Sequence, residues 1–238
     1  MKKEETTSSL PIQDTPDYLG HRARMREKLL EKGANSLSDA ELLELILMTA
    51  IPRKDVKPLA KKLLRQFVTF SNVIHADIYE LRQIKGIGDS VISLLKIIEG
   101  SCQALLRPET KKGTILKEWR QIVDYCRFHL SHEKTEHLYL VYLDVKMKII
   151  TIDDFQKGTQ SRITIVPTEI LRRALNLGAH SLIMVHNHPS GVARPSPEDL
   201  QRTSELHEFL MHAGISIYDH LIIANHSVYS LNRRSLVV

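Results

Sequence analysis

Apolar positions along the chain follow two rhythms. From His21 to Leu106 they recur at helical spacing. Ser38-Asp-Ala-Glu-Leu-Leu-Glu-Leu-Ile-Leu47 opens like a capped helix, with Ser38 and Glu41 at the interval of a capping box. Pro58-Leu-Ala-Lys-Lys-Leu-Leu-Arg65 begins another, with proline in the first turn, where a missing N–H leaves no bond unmade. Beyond Gly113 the period shortens. Leu138–Leu143 and Lys148–Ile152 predict two strands around a turn, and Arg162–Val166, Ser181–Val185 and Leu221–Ala224 three more. Helices are expected between them, over Thr168–Leu177 before Gly178 and over Ser196–Ala213 before Gly214.

This division predicts an α+β chain: a polar tail over residues 1–19, a small all-helical domain over 20–106, and an α/β domain over 114–238. The cluster Arg107-Pro-Glu-Thr-Lys-Lys-Gly113 is the expected linker. At 238 residues and 42% hydrophobic content the chain can bury a sizeable core, so disorder as the main state is excluded. No apolar run approaches the ~18 residues of a membrane span. The opening MKKEETTSSLPIQDTP places acids and hydroxyls where a secretory signal needs an apolar stretch. Two cysteines, Cys102 and Cys126, cannot make a disulfide scaffold or a Cys-rich zinc motif. Reduced thiols and a cytoplasmic location are therefore expected.

The net charge of +5 is uneven. Residues 20–112 carry 17 Lys and Arg against 11 Asp and Glu, whereas 113–238 carry 14 against 13. Clustered basicity of this kind suits a polyanion, most simply nucleic acid, although a solvated surface has the same composition. Within the basic half, Leu81-Arg-Gln-Ile-Lys-Gly-Ile-Gly-Asp-Ser-Val-Ile-Ser-Leu-Leu-Lys96 sets Gly86 and Gly88 between two apolar helical segments. Glycines let backbone amides approach an anion, the helix starting near Asp89 adds its positive end, and Lys85 adds a point charge. The stretch resembles a helix-hairpin-helix module, which implies contact with a DNA backbone without base readout. An ordinary helical hairpin would also need glycine for its turn.

The densest chemistry lies in Val185-His-Asn-His-Pro-Ser-Gly-Val-Ala-Arg-Pro-Ser-Pro-Glu-Asp199. At the end of an extended strand, His186 and His188 point to one side, as two imidazoles sharing a metal must. Pro189, Gly191 and Pro195 bend the chain, and the next helix start offers Asp199. Two histidines and a carboxylate leave a tetrahedral zinc one open position, the layout of a catalytic site. Ser196-Pro-Glu-Asp199 also reads as a simple helix cap. The absence of a Pro-Cys-x-x-Cys half argues against a zinc nucleobase deaminase.

His-x-His-Pro, ten residues from His188 to Asp199, and Ser196 three before the acid resemble the JAMM signature of MPN-domain metalloproteins. The full run, with Asp219-His-Leu-Ile-Ile223 and the helical region before it, is similar to the bacterial RadC family. The resemblance covers nearly everything after residue 19. It implies a cytidine-deaminase-like domain with a mixed sheet, one zinc ion held by His186, His188 and Asp199, and Ser196 as donor to an oxyanion. It further implies a glutamate base, Glu136 by position or else Glu169, and hydrolysis of a peptide or isopeptide bond in an unidentified protein or peptide. Asp219 and His220 would orient a ligand imidazole, or else form a buried polar pair. Related sequences often carry Pro-Arg-Glu where this chain has Pro167-Thr-Glu169, so a substrate contact by that arginine is missing. His129, His132 and His207 are read as surface residues.

Overall fold

A computed structural model describes residues 17–108, 115–157, 165–225 and 227–237. Its backbone divides into two compact units, Met1–Ile98 and Glu99–Val238. Most of the expected tail and linker, and most of the strand expected over Arg162–Val166, lie outside the described residues; Asp17–Leu19, expected in the tail, instead open the first helix.

The first unit is helical: α1 (Asp17–Lys32), α2 (Asp39–Ala50), α3 (Lys57–Phe67), α4 (Phe70–His75), α5 (Ile78–Arg82) and the start of α6 (Asp89–Leu106). The capping box opens α2 as expected: Glu41 N–H donates to Ser38 Oγ, and Ser38 N–H donates to the Glu41 carboxylate at 2.9 Å. Leu43, Leu47, Leu63, Leu81 and Leu95 are fully buried at the centre of this unit. The Arg22 guanidinium is buried too. It donates to the carbonyls of Met48, Ile51 and Lys54 at 3.0, 2.7 and 2.6 Å, occupying acceptors that the end of α2 leaves open.

The second unit contains α7 (Ile115–Leu130), β1 (His137–Leu143), β2 (Ile149–Lys157), α8 (Pro167–Leu177), β3 (Ser181–Asn187), α9 (Pro197–Met211), β4 (Ser216–Ala224), β5 (Ser227–Ser230) and β6 (Ser235–Leu236). Strand order is β2-β1-β3-β4-β5-β6, with β3 and β4 parallel and the other neighbours antiparallel. The sheet is therefore mixed. Alternation sorts its side chains onto two faces. Val141, Leu143, Ile183 and Val185 pack with Ile122, Val123, Cys126 and Leu130 of α7. Leu138, Leu140, Tyr142, Leu182 and Met184 pack with Ile170 and Ala174 of α8 and with Leu206 and Leu210 of α9. Central β3 is buried along its whole length, which is why it reads as a continuous apolar run.

Three histidines expected at the surface are partly buried instead. His129 packs its ring against Tyr125 and Tyr139, His132 lies near Glu133, and His207 Nδ1 accepts the Ile217 N–H at 3.2 Å. Helix α7 and strands β5 and β6 were not foreseen from the pattern.

Candidate metal centre

Each ligand is placed by a separate local rule. His186 lies on the α9 face of β3, two residues on from Met184, and is buried. His188 stands one residue past the strand, where its N–H donates to the Ile223 carbonyl at 2.7 Å and ties the chain to β4. The loop then turns at Gly191, whose φ is +84°. A Cβ there would also lie 2.8 Å from Asn225 Nδ2 and displace that amide, but it is the backbone angle that calls for glycine. Ser196 caps α9, accepting the Asp199 N–H at 3.1 Å, while Asp199 Oδ2 accepts the Ser196 N–H at 2.8 Å. The cap and the ligand are one residue in two roles. Orienting the carboxylate for the helix start also aims it at the histidines.

His186 Nε2 and His188 Nε2 are 2.9 Å apart, and they lie 3.3 and 3.2 Å from Asp199 Oδ1 and Oδ2. Ligand atoms about 2.0–2.1 Å from a tetrahedral zinc stand roughly 3.3 Å from one another, so the triangle fits such an ion. The hydrogen bonds around it fix the imidazole tautomers. A carbonyl can only accept, so His188 Nδ1 donates to Val192 O at 2.9 Å and Nε2 keeps its lone pair. Thr203 donates its single hydroxyl proton to Asp199 O at 2.6 Å, so the proton between Thr203 and His220 sits on His220 Nδ1, also at 2.6 Å. Neutral His220 then accepts from His186 Nδ1 at 2.7 Å, and His186 Nε2 is bare as well. Two lone pairs and a carboxylate converge, an arrangement that calls for a cation.

Protons on the two Nε2 atoms are the alternative to a cation: burial raises the Asp199 carboxyl, but hydrogen bonds from protonated His186 and His188 outweigh it and hold the group far below the usual range. The hydrogen bond to Asp199 raises His188 against the opposing effect of burial. Burial pushes His220 well below the ordinary imidazole value, with the charge of His186 adding to it. His186, His188 and Asp199 are the group among the described residues whose ligand atoms lie close enough to share an ion.

Glu136 immediately precedes β1. The β1–β3 ladder begins two residues on, with Leu138 opposite His186, and the Glu136 charge acts on the His188 imidazole. Glu169 stands exposed in the first turn of α8. Of the pair Asp219 and His220, only His220 touches a ligand. Asp219 does not join it: successive strand residues face opposite ways, and Asp219 instead accepts from Ser230 Oγ at 2.6 Å and Asn232 N–H at 3.0 Å. In the helical unit, Gly86 has φ +102°, and Gly88 caps the start of α6 by accepting the Val91 N–H at 3.0 Å. Lys85 is exposed beside them.

Two residues of the centre escaped the sequence. Asn187, between the histidines, points to the other face. Its Oδ1 accepts the His137 N–H at 2.7 Å and its Nδ2 donates to Thr135 O at 2.9 Å, fixing the segment that carries Glu136. Thr203 sits one turn beyond Asp199, a spacing visible in the sequence once Asp199 is taken as a ligand.

Residues 116–236 match the RadC-like JAB domain family, and residues 18–92 match the UPF0758 N-terminal family. A UPF0758 protein of Ruegeria pomeroyi is 40% identical over 209 residues, covering 87% of this chain and 93% of the relative. A UPF0758 protein of Rhodobacter capsulatus is 38% identical over 213 residues, 90% of this chain and 100% of the relative. With both units matched in order, and the relatives covered almost end to end, the chain belongs to the UPF0758 family of RadC-like JAB-domain proteins.

Proposed function

We propose that this chain is a zinc-dependent hydrolase of an amide bond in a protein or peptide, working through a helical unit that contacts the DNA backbone, in the DNA-repair setting that the resemblance to the RadC family implies. The observation that carries the catalytic part is the convergence of His186, His188 and Asp199, with the charge of Glu136 acting on His188. Zinc held by those three residues supplies Lewis acidity, which brings the pKa of a water from 15.7 towards ~7 and polarises a carbonyl. Glu136 accepts the proton of the attacking water and returns it to the leaving nitrogen. Ser196 donates to the oxygen on which charge develops. Its hydroxyl proton lies towards Asp199 Oδ2 at 2.6 Å, so that role requires the hydroxyl to turn. The polyanion contact is supported by the surplus of basic residues in positions 20–112.

Glu136→Gln tests the proposal. It should retain zinc and lower cleavage of peptide or isopeptide substrates by about 10²–10⁴-fold, and it should trap a bound substrate for identification. Unchanged cleavage would move the base role to Glu169.

The engaged Ser196 hydroxyl and the threonine at position 168 favour a second reading, a non-catalytic DNA-associated binding module with a structural or vestigial zinc site. It predicts DNA binding that survives His188→Ala and no hydrolysis across a peptide panel.

A further inference from the structure

The positive charge of the helical unit is not spread over it. Between Arg53 and Arg65 stand Arg53, Lys54, Lys57, Lys61, Lys62 and Arg65 against a single carboxylate, Asp55. Six cations less one acid leave +5, which is nearly the whole +6 of residues 20–112, 17 less 11. All six side chains are exposed, and among the described residues none is ion-paired to a carboxylate. Lys57, Lys61 and Arg65 recur every fourth residue along α3, in steps of about 6 Å on one side of the helix. Ala60 and Leu63, on the other side, are buried. The three cations, with Asp55 and Pro58, line a groove of about 340 Å³. The connection leading into it is fixed, because the buried Arg22 guanidinium holds the carbonyls of Ile51 and Lys54.

The glycine turn has much less charge. Arg82 is paired with Asp89 at 3.2 Å, which leaves Lys85. A Cβ on Gly86 would face Leu59 at 3.6 Å, so the turn lies against the apolar side of α3, away from the cationic stripe.

Resting on the reading that this unit meets a nucleic acid, we infer that the phosphodiester backbone is held by the α3 stripe, Lys57, Lys61 and Arg65 with Arg53 and Lys54 at its head, and not chiefly by the glycine turn. A row of evenly spaced cations matches a row of phosphates and reads no base, so binding is salt-dependent and indifferent to sequence.

Fluorescence anisotropy of the full chain on two unrelated DNA duplexes, between 50 and 200 mM salt, tests this. Both duplexes should bind alike. Lys57→Gln/Lys61→Gln/Arg65→Gln should lower the slope of log affinity against log salt by about 0.9 per lost contact. Asp55→Asn retains the acceptor for the Lys57 N–H and removes the one opposing charge, so it should tighten binding. Lys85→Gln should change the slope by no more than one contact. Equal affinity and slope in the triple variant and the wild type would overturn the inference. So would a loss confined to Lys85→Gln, which would restore the turn as the contact and leave the nucleic-acid reading intact. Polyglutamate competing as well as DNA, charge for charge, would overturn the choice of partner. No duplex binding by the wild type at 50 mM salt would remove the nucleic-acid reading itself.

Discussion

Asn187 Oδ1 accepts the backbone N–H of His137 at 2.7 Å, across 50 residues of sequence. The side-chain amide thus does what a strand partner would do at the point where β1 begins. Its NH2 group bonds the carbonyls of Thr135 and Glu133 at 2.9 and 3.4 Å, so the segment on either side of Glu136 is held to the metal strand by one side chain. Asn187 is 2% exposed, and water cannot substitute for it.

Replacing it with an apolar residue of similar volume strands those buried groups. Asn187→Leu should cost about 1–3 kcal/mol, a fall of several degrees in Tm for a chain of this size. Amide exchange at His137 should speed up more than exchange at the centre of β3. Uniform acceleration would mean the effect is global and Asn187 has no special hold on this segment.

The path from Asp199 O through Thr203 and His220 to His186 sets which nitrogen of His186 is bare. His220→Leu and Thr203→Val should each weaken zinc binding by roughly 10–100-fold, measured by competition with a chromophoric chelator. ¹⁵N spectra of the metal-free wild type should show His186 protonated at Nδ1 at a pH where it is neutral. A His186 protonated at Nε2, or undiminished affinity in both variants, would break the chain of donors.

The helical unit has its own acid sensitivity. The hydrogen bond from Lys28, then that from the Ser38 N–H, lowers the Glu41 carboxyl from 4.5 to about 2. Because the folded value lies below the unfolded one, this contribution to stability is complete above pH 4.5 and is lost as pH falls towards 2. Glu41→Gln should therefore narrow the difference in urea midpoint between pH 6 and pH 3, most clearly by removing stability at pH 6. Equal losses at the two pH values would show that Glu41 acts only through its shape.

Much of this was legible in the sequence because the rules involved are short-range. The Ser38–Glu41 box, the glycine stop at Gly178, and the run from His186 to Asp199 are each settled within about a turn or a loop. What stayed hidden depends on pairing. The Glu136 charge reaches His188 only because β1 pairs with β3, and Asn187 reaches Thr135 over 52 residues. His220 and Asp219 look equivalent in sequence, and only the face each takes in β4 separates them: one reaches a ligand, the other closes the sheet against β5. Helix α7 was missed because its apolar positions follow the charged cluster before it and merge with the strand-like texture beyond. Its buried residues Ile122, Val123, Cys126 and Leu130 acquire their meaning from the sheet they cover.

The centre itself is tested most directly by zinc titration of the metal-free full chain, followed by calorimetry at neutral pH. One zinc per wild-type chain is expected, with stoichiometric binding lost in His188→Ala while circular dichroism shows the fold retained. A wild-type chain that takes up no zinc, or a His188→Ala chain that binds it as tightly, would contradict the shared-ion account of His186, His188 and Asp199.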